Sequence, residues 1–196
     1  MDIFTGRFFP HTLYLESIMK RYTLAALGLV LAAGGARVAV SQAAPAGERG
    51  VMLGQFDDAA NKLVQLAQAI PQEKYTWRPG TGVRSVSEVL NHVTGGNYYV
   101  ASFAGVQRPA GASVPADSVT DKARIVAALQ ASIAHIRTSL RNASDADLDK
   151  PATMFGQATT IRNVWATVVT HAHEHLGQMI AYARTNNVTP PWSMGQ

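Results

Sequence analysis

Apolar residues recur along this chain at intervals of three and four, in four separate runs. The first covers roughly 50–70, where Val51, Leu53, Phe56, Ala60, Leu63, Val64, Ala67 and Ile70 are interspersed with Asp57, Asp58, Asn61 and Lys62. That spacing lays the apolar side chains along one stripe of an α-helix, and Pro71, which has no N–H to donate, ends it. EKYTWRPGTGVR (73–84) follows as a loop punctuated by Pro79, Gly80 and Gly82. Ser85-Val-Ser-Glu88 then reads as a capping box: Ser85 accepts a hydrogen bond from an orphan N–H of the first turn, and Glu88 reaches back. The second helix continues through Val86, Val89, Leu90, Val93, Asn97, Val100 and Phe103. A Gly95-Gly96 pair in its middle costs about 1 kcal/mol per residue relative to Ala. Such a pair predicts close approach of another helix or room for a ligand.

Residues 105–117 hold Gly105, Pro109, Gly111 and Pro115 and read as a loop. A third helix is expected over about 119–142, with Ile125, Ala128, Leu129, Ser132, Ile136 and Leu140 inside. SDADL (144–148) caps a short helical turn, and MFGQATT (154–160) is a turn or short extended piece. The last helix runs from Thr160 or Ile161 to Asn186 on a stripe of Ile161, Val164, Trp165, Val168, His171, Ala172, His175, Met179 and Tyr182, with Pro190-Pro191 beyond it. No strand pattern of useful length and no internal repeat appears. Four amphipathic helices in about 150 residues predict an all-α four-helix bundle. The long second connection leaves room for a crossover rather than simple up-and-down order.

The 196 residues, 47% hydrophobic and 15% charged, suit one globular domain with a real core. Formal net charge is +4, but Arg7, Lys20, Arg21 and Arg37 against Asp2 and Glu16 leave the rest with 13 basic and 11 acidic side chains. There is no dense basic cluster and no interleaved basic and aromatic stripe, so nucleic acid is not an expected partner. The absence of cysteine excludes disulfides, thiolate ligands and a cysteine nucleophile. Any metal site must use His, Asp or Glu. MKRYTLAALGLVLAAGG (19–35) has a basic start and an apolar run of signal-peptide length, with Ser-Gln-Ala (41–43) and Ala-Pro-Ala (44–46) as cleavage signals. The expected organisation is therefore an extension and signal segment over 1–46, with translation starting at Met19, and a domain over 47–196. The mature chain is expected to be exported, periplasmic or secreted, after cleavage near 43–47, and to carry no stable membrane span. The alternative is an uncleaved anchor, although the run from Tyr22 to Ala36 is short for a span.

Three of the six histidines crowd into THAHEHLGQMIAY (170–182). On a helix, residues four apart share a face and residues two apart point about 200° away from each other. His171 and His175 therefore share the apolar, inward face, and His173 does not. Two imidazoles so spaced can hold one metal ion. The pair is not the zinc-protease signature, because Gly177 stands where HExxH needs a second histidine and Glu174 follows the wrong one. A third ligand is needed. His92, beside Val93 and one turn before Gly95-Gly96, is favoured over His135 and the acidic residues. A bundle whose histidines bind nothing is the plain structural alternative.

From about Val51 to Ser193 the chain resembles the DinB/YfiT-like superfamily of four-helix-bundle proteins. The resemblance rests on YTWRPGTGVRSVSEVLNHV (75–93), HAHEHLGQM (171–179) and the closing PPWS (190–193). It implies that His92, His171 and His175 bind a divalent metal: zinc first, with nickel, iron or manganese as alternatives. It also implies thiol-dependent transferase or isomerase chemistry with a low-molecular-weight thiol on the metal; taken with an open three-imidazole site, the leading expectation is a metal-dependent hydrolase or thiol-dependent transferase acting on a small-molecule substrate. An open coordination position would lower the pKa of bound water or thiol. A non-catalytic, stress-associated metal-binding module is the alternative, and a homodimer is an open expectation. Asn91, Tyr99 and Gln178 are candidates for substrate contact, with Asn97 and Tyr98 nearby. Leu176 departs from the family pattern, which often has Arg there, and so does the export signal.

Overall fold

The computed structural model describes residues 45–194; the expected extension and signal segment over 1–46 lies outside the described residues except for its last two, 45 and 46. Four helices dominate: α1 (Gly47–Ala69), α2 (Val86–Ser102), α3 (Lys122–Asn142) and α4 (Ile161–Thr185). Short 3-10 turns at Gln72–Lys74, Asp145–Asp147 and Pro191–Ser193 finish the connections. No described helix is long and apolar enough to cross a membrane.

Each apolar stripe becomes a buried face. Leu53, Phe56, Ala60, Leu63 and Ala67 of α1 meet Val164, Trp165, Val168, Ala172 and Met179 of α4 in one core. Val51 is 65% exposed. It lies two residues before Leu53, about 200° around the helix, and so leaves the stripe. The capping box forms: Ser85 Oγ accepts from the Glu88 N–H, and Glu88 Oε2 accepts from the Ser85 N–H at 2.7 Å. Arg78 donates to the other carboxylate oxygen of Glu88 at 2.7 Å. The WRPG loop is thereby pinned to the start of α2.

The helix order around the bundle is α1, α4, α2, α3, because α1 packs on α3 and α4, and α2 packs on the same two. Hydrogen bonds give the directions. Lys122 at the start of α3 donates to the carbonyls of Gln68 and Ile70 at the end of α1, so that pair is antiparallel. Arg162 at the start of α4 pairs with Glu48 at the start of α1, so that pair is parallel. Asn91 of α2 holds the chain just before α3, and Asn97 bonds Ser132 midway along it, so α2 and α3 also run parallel. The long second connection therefore returns along the length of the bundle, which is the crossover its length allows. The first and third connections cross the ends diagonally.

The third connection carries structure that the sequence pattern did not show as strands. Pro151–Met154 (β1) and Gln157–Thr160 (β2) pair antiparallel, with Met154 opposite Gln157. Phe155 and Gly156 form the two-residue turn with φ of 52° and 78°. Positive φ at both central residues defines the type I′ turn, for which Asn-Gly is the favoured sequence. A phenylalanine in the left-handed region costs about 1–2 kcal/mol.

Candidate metal centre

His92 projects from the middle of α2, and His171 and His175 project from successive turns of α4, which runs antiparallel to it. The three offer ring nitrogens that all lie within 4.8 Å of one another. The Nε2 atoms of His92 and His171 are 3.1 Å apart. Ring centroids are 5.0 Å apart for His92–His171, 4.8 Å for His92–His175 and 4.5 Å for His171–His175, each pair edge-on. His175 is buried, and the other two are half-buried.

A missing side chain makes this convergence possible. A Cβ on Gly96 would stand 2.4 Å from Cε1 of His171. The His171 ring thus occupies the space that any other residue would fill, which is why a helix-weakening glycine sits mid-helix. Gly95 faces differently: a Cβ there would come within 3.3 Å of Val114 in the long loop.

A polar chain orients the deepest imidazole. His175 Nδ1 lies 2.8 Å from Oε1 of Gln178, an acceptor, so Nδ1 carries the proton and Nε2 keeps its lone pair. Gln178 Nε2 donates to the Tyr182 hydroxyl, and that hydroxyl donates to the carbonyl of Arg84, each at 2.9 Å. The ring of Trp77 meets Tyr182 edge-on at 5.2 Å. Trp77 and Arg84, which bracket the loop, are thus both tied to the helix that bears two of the histidines.

The electrostatics favour neutral imidazoles. Burial, reinforced by His175, His92 and Arg84, pushes His171 down to about 4. Burial also lowers His92, with Arg84 and His175 adding to it, while Asp117 and Glu174 act in the opposite direction. A neutral ring presents the lone pair that a metal needs.

The other candidates fall elsewhere. His173 Nδ1 donates to the carbonyl of Val169, away from the cluster. His135 packs its ring on Tyr98 at 5.3 Å. With Trp165 it lines a separate cleft of about 580 Å³ that includes none of the three clustered histidines. Asn91 is buried, and its amide donates to the carbonyls of Ala116 and Val119, so it fastens the long loop. Tyr99 lies out on the surface beside Phe103 and Phe155. Of the polar candidates, only Gln178 touches a clustered histidine. Tyr182 and Arg84 were not singled out from the sequence. The spacing of His175, Gln178 and Tyr182 at three and four held the signal for Tyr182, but nothing local marks Arg84.

The DinB superfamily model matches residues 55–179. This chain belongs to the DinB superfamily. Solved DinB-like structures agree with the bundle at low sequence identity. A DinB-like protein of Bacillus cereus superposes with a TM-score of 0.65 at 18% identity, covering 74% of this chain and 95% of that one. The YjoA DinB-like protein of Bacillus subtilis gives 0.58 at 18%, covering 71% and 93%. YfiT of Bacillus subtilis, described as a probable metal-dependent hydrolase with an unusual four-helix bundle topology, gives 0.59 at 16%, covering 74% and 92%. Comparison with curated proteins finds no match.

Two predictions follow from this DinB-type geometry. Gly96→Ala should favour the helix by about 1 kcal/mol through propensity, yet its methyl displaces the His171 ring. Zinc affinity, read by competition with a chromophoric chelator, should fall by at least about tenfold while the apo fold is kept. Unchanged affinity would show that the ring has another place to go. The second prediction concerns pH. His171 sits near 4 in the folded chain against an ordinary 6.5, so between those values the unfolded chain binds more protons. Its contribution to metal-free stability is whole above about 6.5 and is lost as pH falls through about 4. Urea midpoints of the apo protein should drop across that window, and less steeply in His171→Gln. Equal slopes would contradict the burial of a neutral ring.

Proposed function

We propose that the protein binds one divalent metal ion through His92, His171 and His175 and acts with it as a hydrolase or thiol-dependent transferase on a small molecule. The observation that carries this reading is the convergence of three ring nitrogens from two helices within 4.8 Å. The donor set fits. Three neutral imidazoles, one of them held by a hydrogen bond from its other nitrogen, suit zinc, and also nickel, iron(II) or manganese. When bound, such an ion acts as a Lewis acid and lowers the pKa of water or of a thiol.

The chain's own residues have definable parts in this. Gln178 holds His175 in the tautomer whose Nε2 is free to ligate. Arg84, its backbone anchored by Tyr182, adds positive charge felt by His92 and His171, which favours anionic species at the site. The exposed carboxylates of Asp117 and Glu174 act on His92 through space. The description of YfiT as a probable metal-dependent hydrolase supports the enzymatic reading. The non-catalytic reading has one observation in its favour: among the described residues, the group of ligand atoms within 4.8 Å of one another consists of the three histidines alone and includes no carboxylate.

Metal analysis of protein purified without a His tag should find one divalent ion per chain. His92→Ala, His171→Ala and His175→Ala should each lower metal affinity by well over about tenfold, while His173→Ala leaves it unchanged. A screen with thiol cofactors and with esters and amides should then find turnover that the same three variants lose. Full occupancy without turnover would favour the binding module, and a metal-free protein that refuses zinc would reject both. We further propose that residues 1–46 direct export and that 47–196 form the mature domain. Mass spectrometry of the exported product should find an N-terminus near Ala44 or Gly47, and an intact cytoplasmic product would refute it.

A further inference from the structure

We propose that Tyr99, Phe103 and Phe155 form a subsite for an aromatic or branched apolar part of the substrate, whose reactive group meets the three histidines. The proposal rests on the metal reading above and adds the substrate class.

Position is the first argument. Tyr99 follows His92 by seven residues on α2, which returns it to within about 20° of the same face, about 10 Å along the axis. Gly96, whose missing side chain admits His171, lies between them. Phe103 lies one turn beyond Tyr99, and Val114 covers α2 at Gly95, one turn before it. Gly96, Tyr99 and Phe103 thus succeed His92 along α2 toward the hairpin that precedes α4, where Phe103 meets Phe155.

The rings themselves are the second argument. Centroids are 5.0 Å apart for Tyr99–Phe103, 5.1 Å for Phe103–Phe155 and 6.0 Å for Tyr99–Phe155, a closed triangle. Yet Tyr99 is 59% exposed and Phe155 is 57% exposed. The triangle therefore leaves most of two aromatic rings in water, where burial does not account for them.

The backbone is the third argument. Phe155 has φ of 52° and precedes Gly156 in a turn that asparagine would occupy without strain. A bulky residue kept at a disfavoured dihedral, with its ring mostly in solvent, is held there against local preference. Backbone strain of this kind clusters at ligand clamps. Helix register puts Tyr99 and His92 on one face of α2 two turns apart, so a small molecule that spans that length is the occupant that uses both.

The test uses the full domain loaded with stoichiometric zinc, and two probes that share a metal-binding head: acetohydroxamate and 4-phenylbutanohydroxamate. The phenyl probe should bind about tenfold more tightly or better, from the apolar area its ring buries. In Phe155→Asn the two affinities should converge, while Tm rises by about 2–4 °C as the turn relaxes. Tyr99→Ala should narrow the same gap, which guards against a local effect of the turn. Zinc retained and acetohydroxamate bound, but with no preference for the phenyl probe or a preference unchanged in both variants, would overturn the subsite alone. Failure to retain zinc would reject the metal reading and the subsite with it. A dimer in sedimentation that Phe155→Asn dissociates would assign the rings to contact between copies instead.

Discussion

The imidazole of His171 stands where a Cβ on residue 96 would be. Everything about the site depends on that close approach of α2 to α4. It lets a histidine from each helix bring Nε2 atoms within 3.1 Å, and it aligns His92 with both turns of α4 at once. The antiparallel course of the two helices is needed as well, because it places the first half of α2 beside the second half of α4. That course is set by the long loop, which carries the chain back along the bundle before α3. The crossover is therefore tied to the site: with a short second connection α3 would run antiparallel to α2, and α4, reversed again, would run parallel to it.

A second constraint works from the outside inward. His175 is fixed by Gln178, Gln178 by Tyr182, and Tyr182 bonds the carbonyl of Arg84 while Trp77 packs on its ring. Arg78 ties the same loop to Glu88 in the capping box. The Trp-Arg-Pro segment thus reads as a clasp, with one side on the cap of α2 and the other on the polar chain of α4. It joins the two helices that carry the histidines at the end of the bundle nearest them. Hydrogen bonds of this kind on the far side of an imidazole set its tautomer and direction, and they tune how well it serves a metal.

Much of this was legible in the sequence. Helical periodicity marked all four helices, because half-buried helices repeat their apolar residues near every 3.6 positions. The i, i+4 rule put His171 and His175 on one face, and the glycine pair foretold a close approach. Other features left weaker traces. Val51 joined the apparent stripe of α1 but falls outside it, because it lies two residues, and so about 200°, from Leu53. The hairpin was invisible as strands because each strand has only four residues and the turn is Phe-Gly rather than the usual Asn-Gly. Asn91 borders His92 in sequence, yet neighbouring helical residues point about 100° apart, and its amide serves the loop instead. Arg84 carries no local signal at all, because its place near the histidines is a product of the folded loop.

The account stands on three imidazoles sharing one ion. X-ray absorption of the zinc-loaded, untagged protein tests this most directly. The predicted spectrum has three imidazole nitrogens at about 2.0–2.1 Å with one further light-atom ligand. It should lose one imidazole in His92→Ala, from α2, just as it should in His175→Ala, from α4. A spectrum with two imidazoles or fewer in the wild type, or one that His92→Ala leaves unchanged, would contradict it.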